Sequence, residues 1–125
     1  MTSENINIGE AELEIMKVLW KAGEPVNLNY ITKAVASKNW KRTTISTYLT
    51  RLADKGAILA EKQAGLYFYS PLISAKEYRK SQTKKLVKRL YNGSIKELAV
   101  SLFEDEKLSA EDLRELRAIF DEKEL

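Results

Sequence analysis

One apolar stripe constrains this chain more than any other feature. In residues 39–52, NWKRTTISTYLTRL, the positions Ile45, Tyr48, Leu49 and Leu52 recur at i, i+3, i+4 and i+7, a spacing that only a helix gathers onto one side. The other side then carries Thr43, Ser46, Thr47 and Thr50, with Arg51 at the flank and Lys41 and Arg42 at the N-terminal end. Thr and Ser are mediocre helix formers, so stability alone does not explain so many of them on one helix. Short hydroxyls edged by cations suit a DNA major groove: hydroxyls reach phosphates or base edges, Thr methyls meet thymine methyls, and Arg takes guanine bidentately. A merely solvated face fits this stretch equally well, and the neighbouring segments have to decide.

Upstream, Gly9 to Lys21 carries Leu13, Met16, Val18, Leu19 and Trp20 at helical spacing, with Glu10, Glu12 and Glu14 in the early turns. Gly23-Glu24-Pro25 stops this helix. Val26 is read as a very short strand, and Asn27 as the N-cap of a second helix with Ile31, Ala34 and Val35 as its stripe, ending near Lys38. A short turn at residues 39–41 leads into the third helix, so the second and third read as helix–turn–helix. Gly56 closes the third helix at a natural C′ position. Ile58 to Lys62 and Leu66 to Ser70 then read as a hairpin joined by Gln63, Ala64 and Gly65, with Pro71 ending the sheet. Three helices followed at once by a hairpin is the order of a winged helix, the hairpin tip being the wing.

Three more helices are announced by a Ser with an acid three residues on: Ser74 with Glu77, Ser94 with Glu97, and Ser109 with Asp112. The first has Tyr78, Leu86, Val87, Leu90 and Tyr91 as its apolar set and ends at Asn92-Gly93. The second and third carry Ile95, Leu98, Ala99, Leu102 and Phe103, and Leu113, Leu116, Ile119 and Phe120. Two short amphipathic helices do not easily bury their stripes on themselves, which makes a second copy of the chain their natural partner. The competing reading folds them back on the winged helix of the same chain. Charge is uneven along the sequence: residues 1–73 hold 9 Lys/Arg against 7 Asp/Glu, residues 74–91 hold 7 against 1, and residues 92–125 hold 5 against 10. A basic middle with an acidic end fits a DNA-facing part joined to a part with another task.

The chain has no cysteine and no histidine. Disulfides, thiolate and imidazole catalysis and the usual zinc and copper sites are thereby excluded. No Gly-rich phosphate loop accompanies the carboxylates, so an enzyme is not expected, nor a cofactor. The run Glu104-Asp105-Glu106 is read as a solvated inter-helix segment rather than a metal site. No apolar run approaches the roughly 18 residues of a membrane span, and Met1 to Glu10 is too polar for a signal peptide. The expectation is a cytoplasmic protein with no membrane insertion, mostly α with a small β-hairpin: a winged-helix DNA-binding domain over residues 1–73, then a basic linker helix and helical dimerisation region over residues 74–125.

AELEIMKVLW in the first helix, TTISTYLTRLADKGAI in the third and YFYSPLISAKEY from wing to linker resemble the penicillinase and methicillin-resistance repressors (BlaI/MecI type), to which copper-responsive CopY-type repressors are related. LYNGSIKELAVSLFEDEKLSAEDLRELR is similar to that family's dimerisation region, and the resemblance runs from about Ile8 to Glu122. It implies a homodimeric repressor on a palindromic double-stranded operator, each third helix reading one half-site. Thr43, Thr44, Thr47 and Arg51 match recognition-helix positions, and Lys62 matches a basic wing position. Lys41, Arg42, Ser46 and Thr50 join them as candidates from the third helix itself. The resemblance also implies a membrane sensor and protease system that cuts the repressor between residues aligned with Leu102 and Phe103. Antibiotic-responsive members commonly have Asn before that bond, where this chain has Leu102. Many members have Arg after the wing glycine, where this chain has Leu66, and the C-terminal cysteines of the copper-responsive relatives are absent. A rival reading of the same fold, favoured by the low net charge of residues 1–73, is a winged helix serving as a protein-interaction module.

Overall fold

A computed structural model describes residues 6–104 and 108–123. The first helix, α1, spans Glu10–Ala22 and is followed by the two-residue strand β1 (Val26–Asn27) and by α2 (Leu28–Ala34). Asn27 caps α2 as its sequence predicts, its Oδ1 accepting a 3.0 Å bond from Tyr30 N–H. The second helix is shorter than predicted: at Val35 the chain leaves α geometry, a 3-10 turn covers Ala36–Lys38, and Asn39 takes a left-handed φ of 56°. Ile31 and Val35 are buried, whereas Ala34, read as part of the stripe, is exposed.

The stripe helix, α3, spans Arg42–Asp54. Ile45, Leu49 and Leu52 are fully buried, and Tyr48 is half-buried with its ring edge-on to Trp40, centroids 5.3 Å apart. They meet Ile15, Met16 and Leu19 of α1 and Ile31 of α2 in one core. Gly56, at φ 80°, supplies the left-handed turn that ends the helix and brings the fully buried Ala57 beneath it.

Strands β2 (Ile58–Gln63) and β3 (Leu66–Pro71) form the wing, in register Ile58↔Pro71 through Gln63↔Leu66. Gln63, predicted to lie in the turn, is instead paired. The loop is the two residues Ala64 and Gly65, both left-handed (φ 51° and 82°), as a type I′ turn requires. Pro71 is the last residue of the ladder, where its missing N–H costs least. β1 pairs with β3, Val26↔Tyr69, so the sheet has three strands in the order β1-β3-β2.

Ser74 and Glu77 form the predicted reciprocal cap of α4 (Ala75–Leu90). The chain divides into two compact units inside this helix, between Gln82 and Thr83. In the first unit Tyr78 is buried beside Trp20, ring centroids 6.0 Å apart, and the indole N–H donates to the Ile73 carbonyl at 2.9 Å. In the second, Val87 is buried, but Leu90, assigned to the same apolar set, is exposed. Helices α5 (Ile95–Glu104) and α6 (Ala110–Lys123) follow. Ser109 and Asp112 cap α6 reciprocally. Ser94 caps α5 through its hydroxyl, while its own N–H is bonded to the Tyr91 carbonyl at 2.8 Å.

Candidate nucleic-acid interface

Burial of Ile45, Leu49 and Leu52 fixes the rotation of α3 and thereby which residues face outward. Thr43, Thr47, Thr50 and Arg51 are exposed, and Ser46 and Thr44 are half-buried along the edge of that face. Lys41 is the N-cap and Arg42 the first residue, both exposed. No side chain caps this helix start, and no acid lies in the first turn; the helix's own acid, Asp54, is its last residue. Such an end carries unsatisfied backbone N–H groups and the positive end of the macrodipole. Two cations added there oppose the helix and suit an incoming anion.

The hydroxyls are less available than the sequence alone indicates. Thr47 Oγ1 donates to the Thr43 carbonyl and Thr50 Oγ1 to the Ser46 carbonyl, both at 3.0 Å. Their protons are committed to the helix, which leaves acceptor lone pairs and methyl groups for a ligand. That set fits base amino groups and thymine methyls better than phosphate oxygens.

Lys62 is exposed on β2, opposite Tyr67 of β3 in the ladder, and its Nζ lies 5.8 Å from the Tyr67 ring centroid. Tyr67 shares one sheet face with Tyr69, and both line a groove against Leu49, Thr50 and Ala53 of α3. The wing therefore brings Tyr67, whose ring lies near the Lys62 ammonium, into a groove with Thr50 of α3. Burial, and then the electrostatic influence of neighbouring Tyr67, push the Tyr69 hydroxyl above its usual pKa, so it is neutral in the physiological range.

Two participants were not foreseen from the sequence. Glu12 is buried, and its Oε1 accepts from Lys55 Nζ at 2.6 Å and from Gly9 N–H at 2.9 Å. Burial raises its pKa, but the Lys55 and Gly9 hydrogen bonds and the charges of Lys55 and Arg51 outweigh that, and the carboxyl lies below its ordinary value. Asn29 accepts from Arg42 Nη2 at 2.6 Å. These contacts join residues 43 and 13 positions apart, and nothing local in the sequence marks them.

In the second unit, Ile95, Leu102 and Phe103 of α5 and Leu113 and Ile119 of α6 are exposed, Ile95 at 72% and Phe103 at 49%, while Leu98 and Leu116 are half-buried. The side chain of Phe120 and the residues Asp105 and Glu106 lie outside the described residues. Among the described residues, no three acidic side chains gather as metal ligands, and no helix is long and apolar enough to cross a membrane.

A three-helix core, a third helix with an outward polar and cationic face, and an adjoining β-hairpin define a winged-helix protein. Residues 8–122 match the Penicillinase repressor family, and the chain belongs to it. That family is one of transcriptional repressors and not of enzymes. The penicillinase repressor of Bacillus licheniformis is 34% identical over 116 residues, 92% of this chain and 90% of that protein. The methicillin resistance regulatory protein MecI of Staphylococcus aureus is 29% identical over 123 residues, 98% of this chain and all of that protein. Among solved structures, the B. licheniformis BlaI monomer in complex with the blaP half-operator is similar at 38% identity and a TM-score of 0.50, over 58% of this chain and 88% of that one. The DNA-binding domain of the repressor BlaI is similar at a TM-score of 0.52, again at 38% identity and over 58% of this chain and 89% of that one.

Proposed function

We propose that this protein is a cytoplasmic transcriptional repressor that binds a palindromic operator as a homodimer, one α3 to each half-site. The observation that carries the reading is the outward face of α3. Arg51, the Thr methyls and the lone pairs of Thr47 and Thr50 supply sequence choice, while Lys41, Arg42 and Lys62 supply phosphate attraction. The BlaI relative of similar fold is solved with a half-operator, which supports the same use here.

Homodimer formation is supported by the exposed apolar residues of α5 and α6, which a single chain leaves in water. Two linked half-site contacts gain affinity from effective concentration, so whatever loosens the pair releases the operator. Scission by a membrane sensor and protease system between Leu102 and Phe103 would act in this way, without a ligand pocket in the DNA-binding unit. Both residues are exposed in α5.

A fluorescence-anisotropy titration of the protein against its own promoter DNA and a scrambled duplex, at low and near-physiological salt, tests the proposal. A promoter preference that persists as salt is raised is the expected result. Equal affinity for both duplexes at every salt concentration, or no binding at all, overturns it.

A further inference from the structure

Arg42 opens α3, yet its guanidinium is held back toward α2 by the Asn29 carbonyl oxygen, Nη2 to Oδ1 at 2.6 Å. Both residues line a groove of about 210 Å³ whose other wall is the wing tip, with Gly65, Leu66 and Tyr67. Arg42 is the one charged residue among those lining it. Asn27, also in the lining, has its side-chain oxygen committed to the Tyr30 N–H. The Asn29 oxygen already accepts from Arg42, so what the pair chiefly offers a ligand is a cationic set of N–H donors, from the guanidinium and the Asn29 amide. Such a set matches phosphate oxygens, which only accept. Leu66 and Tyr67, each about half exposed, offer an apolar wall to the sugar beside such a phosphate.

We infer that this groove between α2 and the wing clamps one phosphate of the DNA backbone on Arg42, with Asn29 as the residue that positions the guanidinium. The inference rests on the DNA-binding reading and deepens it, because it narrows the phosphate attraction of Arg42 to one backbone phosphate in a defined groove and adds Asn29 as the residue that aims the guanidinium. A backbone contact carries no sequence information of its own and fixes the register of α3 in the groove.

The test is a salt series of anisotropy titrations with the full chain, on promoter and scrambled duplexes, for wild type, Arg42→Gln, Arg42→Lys, Asn29→Ala and the double variant Asn29→Ala/Arg42→Gln, each checked for folding by its thermal melt. Arg42→Gln is expected to weaken both duplexes by a similar factor and to lower the slope of log K against log salt by about one. Arg42→Lys keeps the charge and so the slope. Asn29→Ala is expected to cost about threefold to tenfold in affinity with the slope unchanged, and nothing further once Arg42 is Gln. An unchanged slope in Arg42→Gln, a loss confined to the promoter duplex, or an Asn29→Ala cost that persists without Arg42 would overturn the clamp while leaving DNA binding intact. A wild-type chain that binds neither duplex at low salt overturns the DNA-binding reading and the clamp with it.

Discussion

Glu12 of α1 and Lys55 at the C-cap of α3 meet at 2.6 Å across 43 residues of chain. Their contact ties the far end of α3 to α1, one turn beyond Arg51. Glu12 is 6% exposed and the Lys55 side chain 35%. Removing the lysine therefore strands a buried carboxylate that keeps only the Gly9 N–H as donor. Lys55→Met is expected to cost about 1–3 kcal/mol in a urea titration at neutral pH, nearer the lower figure because Lys55 is partly solvated.

The same carboxylate makes stability depend on acid. Its folded pKa lies below the ordinary 4.5, so as pH falls the unfolded chain takes up the proton first. The contribution is complete above the ordinary value and is lost as pH drops through the folded one. Urea titrations from pH 6 down to pH 3 should show that loss in the wild type and a shallower one in Glu12→Gln.

Arg51 is exposed on the outer face of α3 and belongs to the predicted base-reading set. Arg51→Ala is expected to weaken promoter binding by about 1–3 kcal/mol, as for a lost base contact, and scrambled-duplex binding by less. Anisotropy on the two duplexes measures the difference, and an equal loss on both would move Arg51 to the backbone.

Ala64 holds φ 51° in the wing turn, a region that a Cβ disfavours and that Asn tolerates. Ala64→Asn is expected to stabilise the chain by about 0.5–1 kcal/mol. A melting curve should rise by a few degrees; a fall would mean that the Asn side chain is not accommodated at the tip.

Ile119 is 52% exposed on α6, so a charge there is tolerated by the single chain but not in an apolar interface. Ile119→Asp is expected to shift the protein from dimer to monomer in analytical ultracentrifugation and to weaken promoter binding without touching α3. A variant that remains dimeric places the interface elsewhere.

Local chemistry made much of this molecule legible in its sequence. The 3.6-residue stripe of Ile45, Leu49 and Leu52 dictated α3 and its outward face, Asn27, Ser74 and Ser109 announced their helices through side chains that reach only three residues, and Gly56 and Gly65 marked the turns that need left-handed backbone. Each of these signals is complete within one turn of chain. Tertiary structure decided what depends on segments distant in sequence. It broke the second helix at Val35 and left Ala34 outside, it added β1 to the hairpin through Val26↔Tyr69, and it turned Leu90 to solvent. It also brought Glu12 to Lys55 and Asn29 to Arg42. A hydrogen bond or ion pair across the fold depends on where two elements come to rest, and packing alone sets that.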